Sequence, residues 1–198
     1  MNMNFKAWAI GSTMLMMSAT GAFAEVVYNR GSAAVPESLD PHKTATTYEA
    51  DILREMFLGL VAQDARADLI PGAAESWTVS ADNTVYTFKL RQGAKWSNGD
   101  PVTADEFVFA FQRLQNPETA AEYASMLYVV KNAEAINQGK AKPEEIGVKA
   151  IDASTLEVTL NAPTPYFLEM LTHQATYPVH KATVEKFGND WTKPGNIV

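Results

Sequence analysis

The chain has 198 residues with 16 basic and 23 acidic side chains, a formal net charge of −7, and no cysteine. A chain this acidic lacks the basic surface that displaces counterions from a polyanion, so we expect no nucleic-acid partner. Without cysteine, disulfides, thiolate metal sites, a cysteine nucleophile and a lipid on an amino-terminal cysteine are all excluded.

The first 24 residues have the pattern of a secretory signal. One basic residue, Lys6, precedes an uncharged, largely apolar stretch, and Ala22-Phe23-Ala24 has small residues at the two positions that signal peptidase recognises. The alternative is an uncleaved anchor, but the apolar core is shorter than the ~20 residues that span a bilayer. We therefore predict cleavage after Ala24, which leaves 15 basic and 23 acidic residues and a charge of −8. Export without cysteine is typical of a bacterial periplasm.

The first elements predicted in the mature chain are a short strand at residues 26–28, a turn at Asp40-Pro41 and a helix. The helix is predicted to begin at a capping box, because Thr46 can cap one free amide while Glu49 binds another. Gly59 is expected to mark its end. The apolar stripe of this helix is expected to consist of Tyr48, Ile52, Met56 and Leu60, with Leu53 and Phe57 alongside.

Two β-hairpins are predicted on either side of a second helix. The first joins strands at residues 74–79 and 85–90, and the second joins strands at 148–151 and 156–160. The helix between them begins at the capping box Thr103–Glu106 and ends before Pro117. Shorter helices are predicted at 120–130, 132–138, 166–172 and 180–187. Since strands and helices do not alternate strictly, the fold class is α+β with local antiparallel pairing.

One long segment, residues 74–114, resembles the peptide/nickel branch, family 5, of the bacterial extracellular solute-binding proteins. Its signature is the order of a strand, a basic turn, Trp96-Ser97-Asn98-Gly99, Pro101-Val102-Thr103-Ala104 and an aromatic helix. Outside it, Ser38-Leu39-Asp40-Pro41-His42-Lys43 narrows the resemblance to the oligopeptide-binding members. The resemblance covers essentially the whole mature chain.

The resemblance implies a periplasmic-binding-protein type II-like fold, in which two lobes close on an extended peptide and an extra domain lies against the first lobe. Residues 25–44 would be a strand and loop of the first lobe, 45–151 the extra domain, and 152–198 a return into the first lobe. The second lobe and the remaining strands of the first would lie beyond Val198. We therefore expect a truncated fragment with an incomplete first lobe, which does not bind ligand alone.

The function implied by the resemblance is that of the substrate-binding component of an ABC importer for oligopeptides. Such a protein would present peptides to an inner-membrane permease, act as a monomer and need no cofactor. Dipeptide, nickel, murein-peptide and opine ligands remain alternatives. A different class of function is a stand-alone envelope interaction or scaffold protein derived from the extra domain. Translation of the DNA after the Val198 codon would distinguish the two.

Three candidate ligand-binding residues follow from the resemblance. Ala45 and Thr47 match the stretch where the ligand pairs with protein main chain as an added strand. Oligopeptide-binding relatives have a glutamate where Ala45 stands, so a charged contact is missing. Tyr123 matches a ligand-facing aromatic wall, although ordinary packing of its ring is an equally supported interpretation.

Other conspicuous residues have structural interpretations. Asp40 is expected to shape its turn. The histidines His42, His173 and His180 are scattered without metal-ligand spacing, so no metal site is expected. No nucleophile elbow, zinc-protease or phosphate-loop motif occurs, so we expect no enzymatic activity. The periodicity of five aromatic residues favours core positions over ligand stacking: Trp77, Phe88, Trp96, Phe107 and Phe111.

Overall fold

A computed structural model of the chain describes residues 27, 29, 31, 32 and 34–198. The predicted signal, its cleavage site and two of the three residues of the strand predicted at 26–28 lie outside the described residues. Residues 32–198 form one compact unit, and the following description concerns that unit.

Helix α1, Thr47–Met56, begins at the predicted capping box. The Glu49 amide donates to the Thr46 hydroxyl (3.4 Å), and the Thr46 amide donates to the Glu49 carboxylate (3.3 Å). The same carboxylate accepts the amides of Glu37 (3.0 Å) and Ser38 (3.2 Å). The capping box therefore also ties the preceding loop to the start of α1.

The buried face of α1 differs from the predicted stripe. Leu53 and Phe57 are buried as expected, but Met56 is 45% exposed and Tyr48 and Ile52 are only half-buried. The helix rests on the row next to the predicted one because Leu53 and Phe57 pack with Tyr177, Val179 and Trp191 in a small second core.

Gly59 does not end α1, which already stops at Met56. A Cβ at Gly59 would lie 2.9 Å from both the Leu171 carbonyl oxygen and the Tyr177 ring. Close packing against the segment around residues 171–177, rather than helix termination, is therefore what requires glycine at this position.

The main sheet has four antiparallel strands in the order β3-β4-β6-β5, and a separate ribbon is formed by β1 (Val61–Gln63) and β2 (Leu69–Pro71). Both predicted hairpins are present. One consists of β3 (Ala74–Val79) and β4 (Val85–Leu90), and the other of β5 (Val148–Asp152) and β6 (Thr155–Thr159).

Strand β6 joins the two hairpins into one sheet. Leu156 of β6 lies opposite Phe88 of β4 on one side and opposite Ala150 of β5 on the other. The domain boundary expected between residues 151 and 152 therefore falls inside the second hairpin. The sheet continues past it to Thr159.

The main core lies between this sheet and helix α2, Ala104–Gln115. Phe107, Phe111 and Leu114 of α2 and Phe88 of β4 are all at most 1% exposed, which confirms the core positions predicted for the three phenylalanines. Trp77 and Trp96 are half-buried at the edges of the two cores. At the start of α2, Glu106 reaches back to the Thr103 amide (3.4 Å).

Short helical segments make up the rest of the described chain. The helices predicted at 132–138, 166–172 and 180–187 are present in shorter form, whereas residues 120–130 form a single 3₁₀ turn. The α-helices are α3 (Ala133–Asn137), α4 (Phe167–Met170) and α5 (Lys181–Phe187), and the 3₁₀ segments are Pro117–Thr119, Ala124–Leu127, Pro143–Glu145, Gln174–Thr176 and Gly188–Asp190. Within the described residues, no helix is long and apolar enough to cross a membrane.

Candidate functional site

Residues 44–47, which we call the edge segment, lead into α1 along the protein surface. Thr44 is buried, whereas Ala45 and Thr47 are exposed, and Thr46 has extended geometry with φ −103° and ψ 152°. In the part of the chain that the structure describes, the amides of Ala45 and Thr47 donate no hydrogen bond. The Thr47 amide is one of the free donors of the first helical turn. Within the described residues, both amides are therefore unpaired.

Tyr123 lies directly across from this segment. Its hydroxyl donates to the carbonyl oxygen of Ala45 over 3.4 Å, and the half-buried ring packs against the main core. Two of the three predicted site residues are thus in contact, and Thr47 is two positions farther along the same segment. Both interpretations of Tyr123 fit this geometry, since its ring packs inward while its hydroxyl reaches the edge segment.

His173 is a further residue of this site that the sequence did not indicate. Its ring lies 4.5 Å from that of Tyr123 at an interplanar angle of 60°. Its Nδ1 accepts the amide of Ala175 (3.2 Å), and burial together with the nearby charge of Arg54 lowers the pKa of the imidazole. Because Nδ1 accepts a hydrogen bond, it carries no proton in this geometry. Fifty positions separate the two residues, so no local pattern could have paired them.

The turn that precedes the edge segment is built on a buried ion pair. Asp40 is 4% exposed, and Arg113 of α2 donates from Nη1 to Asp40 Oδ1 (2.9 Å) and from Nη2 to Oδ2. The Trp191 indole also donates to Oδ2 (3.1 Å), and the amide of His42 donates to Oδ1 (3.1 Å). Burial raises the pKa of Asp40, but the side-chain hydrogen bonds from Arg113 and Trp191 and the Arg113 charge outweigh it and hold the pKa below its ordinary value.

His42 completes this group, which we call the Asp40 cluster: Asp40, His42, Arg113 and Trp191. The imidazole is 1% exposed, with Nδ1 at 2.8 Å from Arg113 Nη1 and Nε2 at 3.3 Å from the carbonyl oxygen of Tyr177. Asp40 shapes its turn, as the sequence indicated, because its carbonyl accepts the Lys43 amide (3.0 Å). The structure adds that the turn is bound to α2 and to the carboxyl-terminal segment.

The third histidine, His180, also has both ring nitrogens engaged by protein groups. Its Nε2 lies 3.0 Å from Asp100 Oδ2 and 3.9 Å from Glu106 Oε1, and its Nδ1 lies 2.7 Å from Thr183 Oγ1. Among the described residues, no group of three or more histidine, aspartate or glutamate side chains is arranged to hold a metal ion.

Ala45 and Thr47 of the edge segment are exposed to solvent. A cavity of about 640 Å³ lies between the end of α1 and residues 94–97, but its lining includes none of Ala45, Thr47 or Tyr123. A ligand lying along the edge segment would therefore contact this unit from one side.

Comparison with known proteins identifies a family for most of the described unit. Residues 68–198 match the family described as bacterial extracellular solute-binding proteins, family 5 middle. The chain is 49% identical over 175 residues to the periplasmic oligopeptide-binding protein OppA of Escherichia coli, which covers 87% of this chain and 32% of that relative. It is 45% identical over 165 residues to the periplasmic murein peptide-binding protein MppA of the same organism, covering 82% and 30% of the two chains.

The crystal structure of Haemophilus influenzae OppA in complex with the peptide RPPGFSPFR superposes on this chain with a TM-score of 0.80 at 48% identity. The match covers 81% of this chain and 32% of that one. This chain therefore spans about a third of the length of the relatives it matches. The likeness establishes a partial periplasmic-binding-protein type II fold of mixed helix and sheet. The chain belongs to family 5 of the bacterial extracellular solute-binding proteins.

Proposed function

We propose that this chain is part of the periplasmic substrate-binding component of an ABC importer for oligopeptides. The observation that carries the proposal is the edge segment, in which Ala45 and Thr47 are exposed and their amides are unpaired within the described chain. Main-chain pairing is blind to ligand sequence, which suits a binder of varied peptides. The relatives named above, an oligopeptide-binding and a murein peptide-binding protein, support the same class of ligand.

The finer parts of the proposal concern the whole protein. A signal at residues 1–24 would be cleaved on export, and the mature protein would act as a monomer that passes peptides to an inner-membrane permease without a covalent step. Since this chain spans about a third of its relatives, we assign closure on the ligand to two lobes of the complete protein. Tyr123 and His173 would form the wall beside the bound peptide.

The test removes one main-chain donor without altering the helix. Proline is favoured at the first helical position, and the extended geometry of Thr46 suits a residue before proline, so Thr47→Pro should keep α1 intact. We would place residues 32–198 in a chimera with the remaining two thirds of the Haemophilus influenzae relative and titrate it with RPPGFSPFR. The variant should weaken binding by roughly 5–10-fold, because one hydrogen bond contributes about 1 kcal/mol.

The matched control is Lys181→Pro, the same substitution at the first position of α5, where His180 is also extended. It should leave the affinity unchanged. A folded chimera that does not bind the peptide would contradict the proposed function. A chimera that binds equally well with Thr47→Pro would show instead that the edge segment does not pair with the ligand.

A further inference from the structure

The edge segment is held in place at both ends. At its carboxyl-terminal end, the capping box of Thr46 and Glu49 fixes the first turn of α1. At its amino-terminal end, the turn at residues 40–43 closes through the Lys43 amide on the Asp40 carbonyl and leads directly into Thr44. The position of the Ala45 and Thr47 amides therefore depends on the Asp40 cluster as well as on α1.

The contacts of His42 allow a single protonation state. Arginine only donates hydrogen bonds, so the 2.8 Å contact from Arg113 Nη1 requires a lone pair on His42 Nδ1. The proton of the neutral ring must then be on Nε2, where it faces the carbonyl oxygen of Tyr177. A second ring proton would point an N–H at the guanidinium and bring two positive charges together.

The charged groups around the ring come from two elements. Asp40 faces it from the same turn and Arg113 faces it from α2, while the contact at residue 177 is an uncharged carbonyl. The Asp40 carboxylate already accepts from Arg113 and Trp191. Burial first, and the Arg113 charge second, lower the pKa of His42 to about 4 against the opposing effect of Asp40.

We propose that the Asp40 cluster positions the edge segment and that this position requires a neutral His42, so that acidification loosens the peptide-facing main chain. The role of the edge segment as a peptide site rests on the proposed function, whereas the response of the Asp40 cluster to pH does not. The cluster would thus make peptide capture sensitive to the pH around the protein.

The direction of the effect follows from proton linkage. The pKa of His42 is lowered in the folded chain relative to its ordinary value of 6.5. The contribution of neutral His42 to the stability of the closed cluster is therefore complete above pH 6.5 and is lost as the pH falls toward 4. Over this range His42 binds a proton when the cluster is open but not when it is closed. The opening equilibrium can shift by up to about tenfold per pH unit over that range.

The experiment is nuclear magnetic resonance of the ¹⁵N-labelled chain at a series of pH values from neutral to about 4.5. Ring ¹⁵N shifts should show His42 as the Nε2-protonated neutral tautomer at neutral pH. On acidification, protection of the His42 and Lys43 amides from exchange, corrected for intrinsic rates, should fall at least tenfold. The amide resonances of Ala45 and Thr47 should shift over the same pH range.

Two variants distinguish the effect of His42 on the edge segment from an overall effect of low pH on the chain. In His42→Gln, the side-chain oxygen can accept a hydrogen bond from Arg113 and the side-chain NH2 group can donate to the carbonyl oxygen of Tyr177. Because glutamine does not titrate, the pH dependence at the turn and the edge segment should disappear. His180→Gln, which changes another buried histidine outside the cluster, should retain it.

The proposal is overturned by any of three results: a wild-type turn whose protection does not change with pH, a pH dependence that persists in His42→Gln, or a turn that loosens while the Ala45 and Thr47 resonances stay fixed. The wild-type measurement tests the proposal even if a variant does not fold. Since no peptide is used, failure of the chimera to bind RPPGFSPFR would refute the proposed function and leave these results standing.

Discussion

At the scale of single residues, Asp40 connects more of this chain than any local pattern indicated. Its sequence neighbourhood predicts a turn, and the turn is present, but the carboxylate also accepts hydrogen bonds from α2 and from Trp191. A buried pair of this kind contributes little by its mere presence, because both charges lose their hydration. Removal of one partner is costly, since the other charge is left without compensation.

We expect Asp40→Asn to destabilise the chain strongly. The substitution preserves shape but removes the charge that compensates the Arg113 side chain, which is 10% exposed. The free energy of unfolding should fall by about 3–5 kcal/mol, measured by urea denaturation. Lys149→Met, which breaks an ion pair whose lysine is 64% exposed, should cost less than about 1 kcal/mol. Equal effects of the two substitutions would argue against a central role for Asp40.

At the scale of elements, β6 is the strand on which the sheet depends. It pairs with both β4 and β5, and its Leu156 and Val158 are fully buried. Without β6, strand β5 would have no partner in the sheet and β4 would become an edge. For this reason we propose that the extra domain expected from the resemblance includes both strands of the second hairpin.

A fragment of residues 45–151, the boundaries expected from the sequence, should therefore fail to fold. It would show no cooperative thermal transition by circular dichroism, because the apolar residues of β6 are missing from the core and the edges of β4 and β5 are unpaired. Residues 32–198 provide the comparison and should unfold cooperatively. A sharp transition in the shorter fragment would mean that the sheet forms without β6.

At the scale of the whole molecule, we propose that the described unit presents one side of a ligand site. The edge segment is open to solvent, and the outward row of α1 leaves Met56 45% exposed, followed by Leu58 at 49%. These residues line the cavity beside Ile197 and Val198. Peptide capture in two-lobed binding proteins depends on closure from both sides, which excludes water from the ligand.

We expect this chain by itself to bind RPPGFSPFR only weakly. Main-chain hydrogen bonds on an open surface compete with water, and each contributes only about 1 kcal/mol net. Isothermal titration calorimetry of the chain should give no micromolar binding, in contrast to the chimera with a second lobe. Micromolar affinity of the chain alone would show that one side is sufficient and would contradict the dependence of peptide capture on closure of two lobes.

The amino-acid sequence alone determined the hairpins, the start of both long helices and the family. The hairpins and helix starts depend on residues within a few positions of each other: alternating apolar residues mark strands, and the spacing of Thr46 and Glu49 marks a helix start. The candidate residues Ala45, Thr47 and Tyr123 came from the resemblance, and their contact with ligand remains a prediction.

Only the tertiary structure decided which elements meet. The row of α1 that is buried depends on the second core, to which Trp191 contributes, and the position of β6 depends on pairing with a strand of the other hairpin. The contacts of Asp40 with Arg113 and Trp191 span 73 and 151 positions. Such contacts are set by the packing of the folded chain, and no local spacing encodes them. That is why the sequence offered Ala45 and Thr47 as candidates but gave no sign of the buried cluster that we propose positions them.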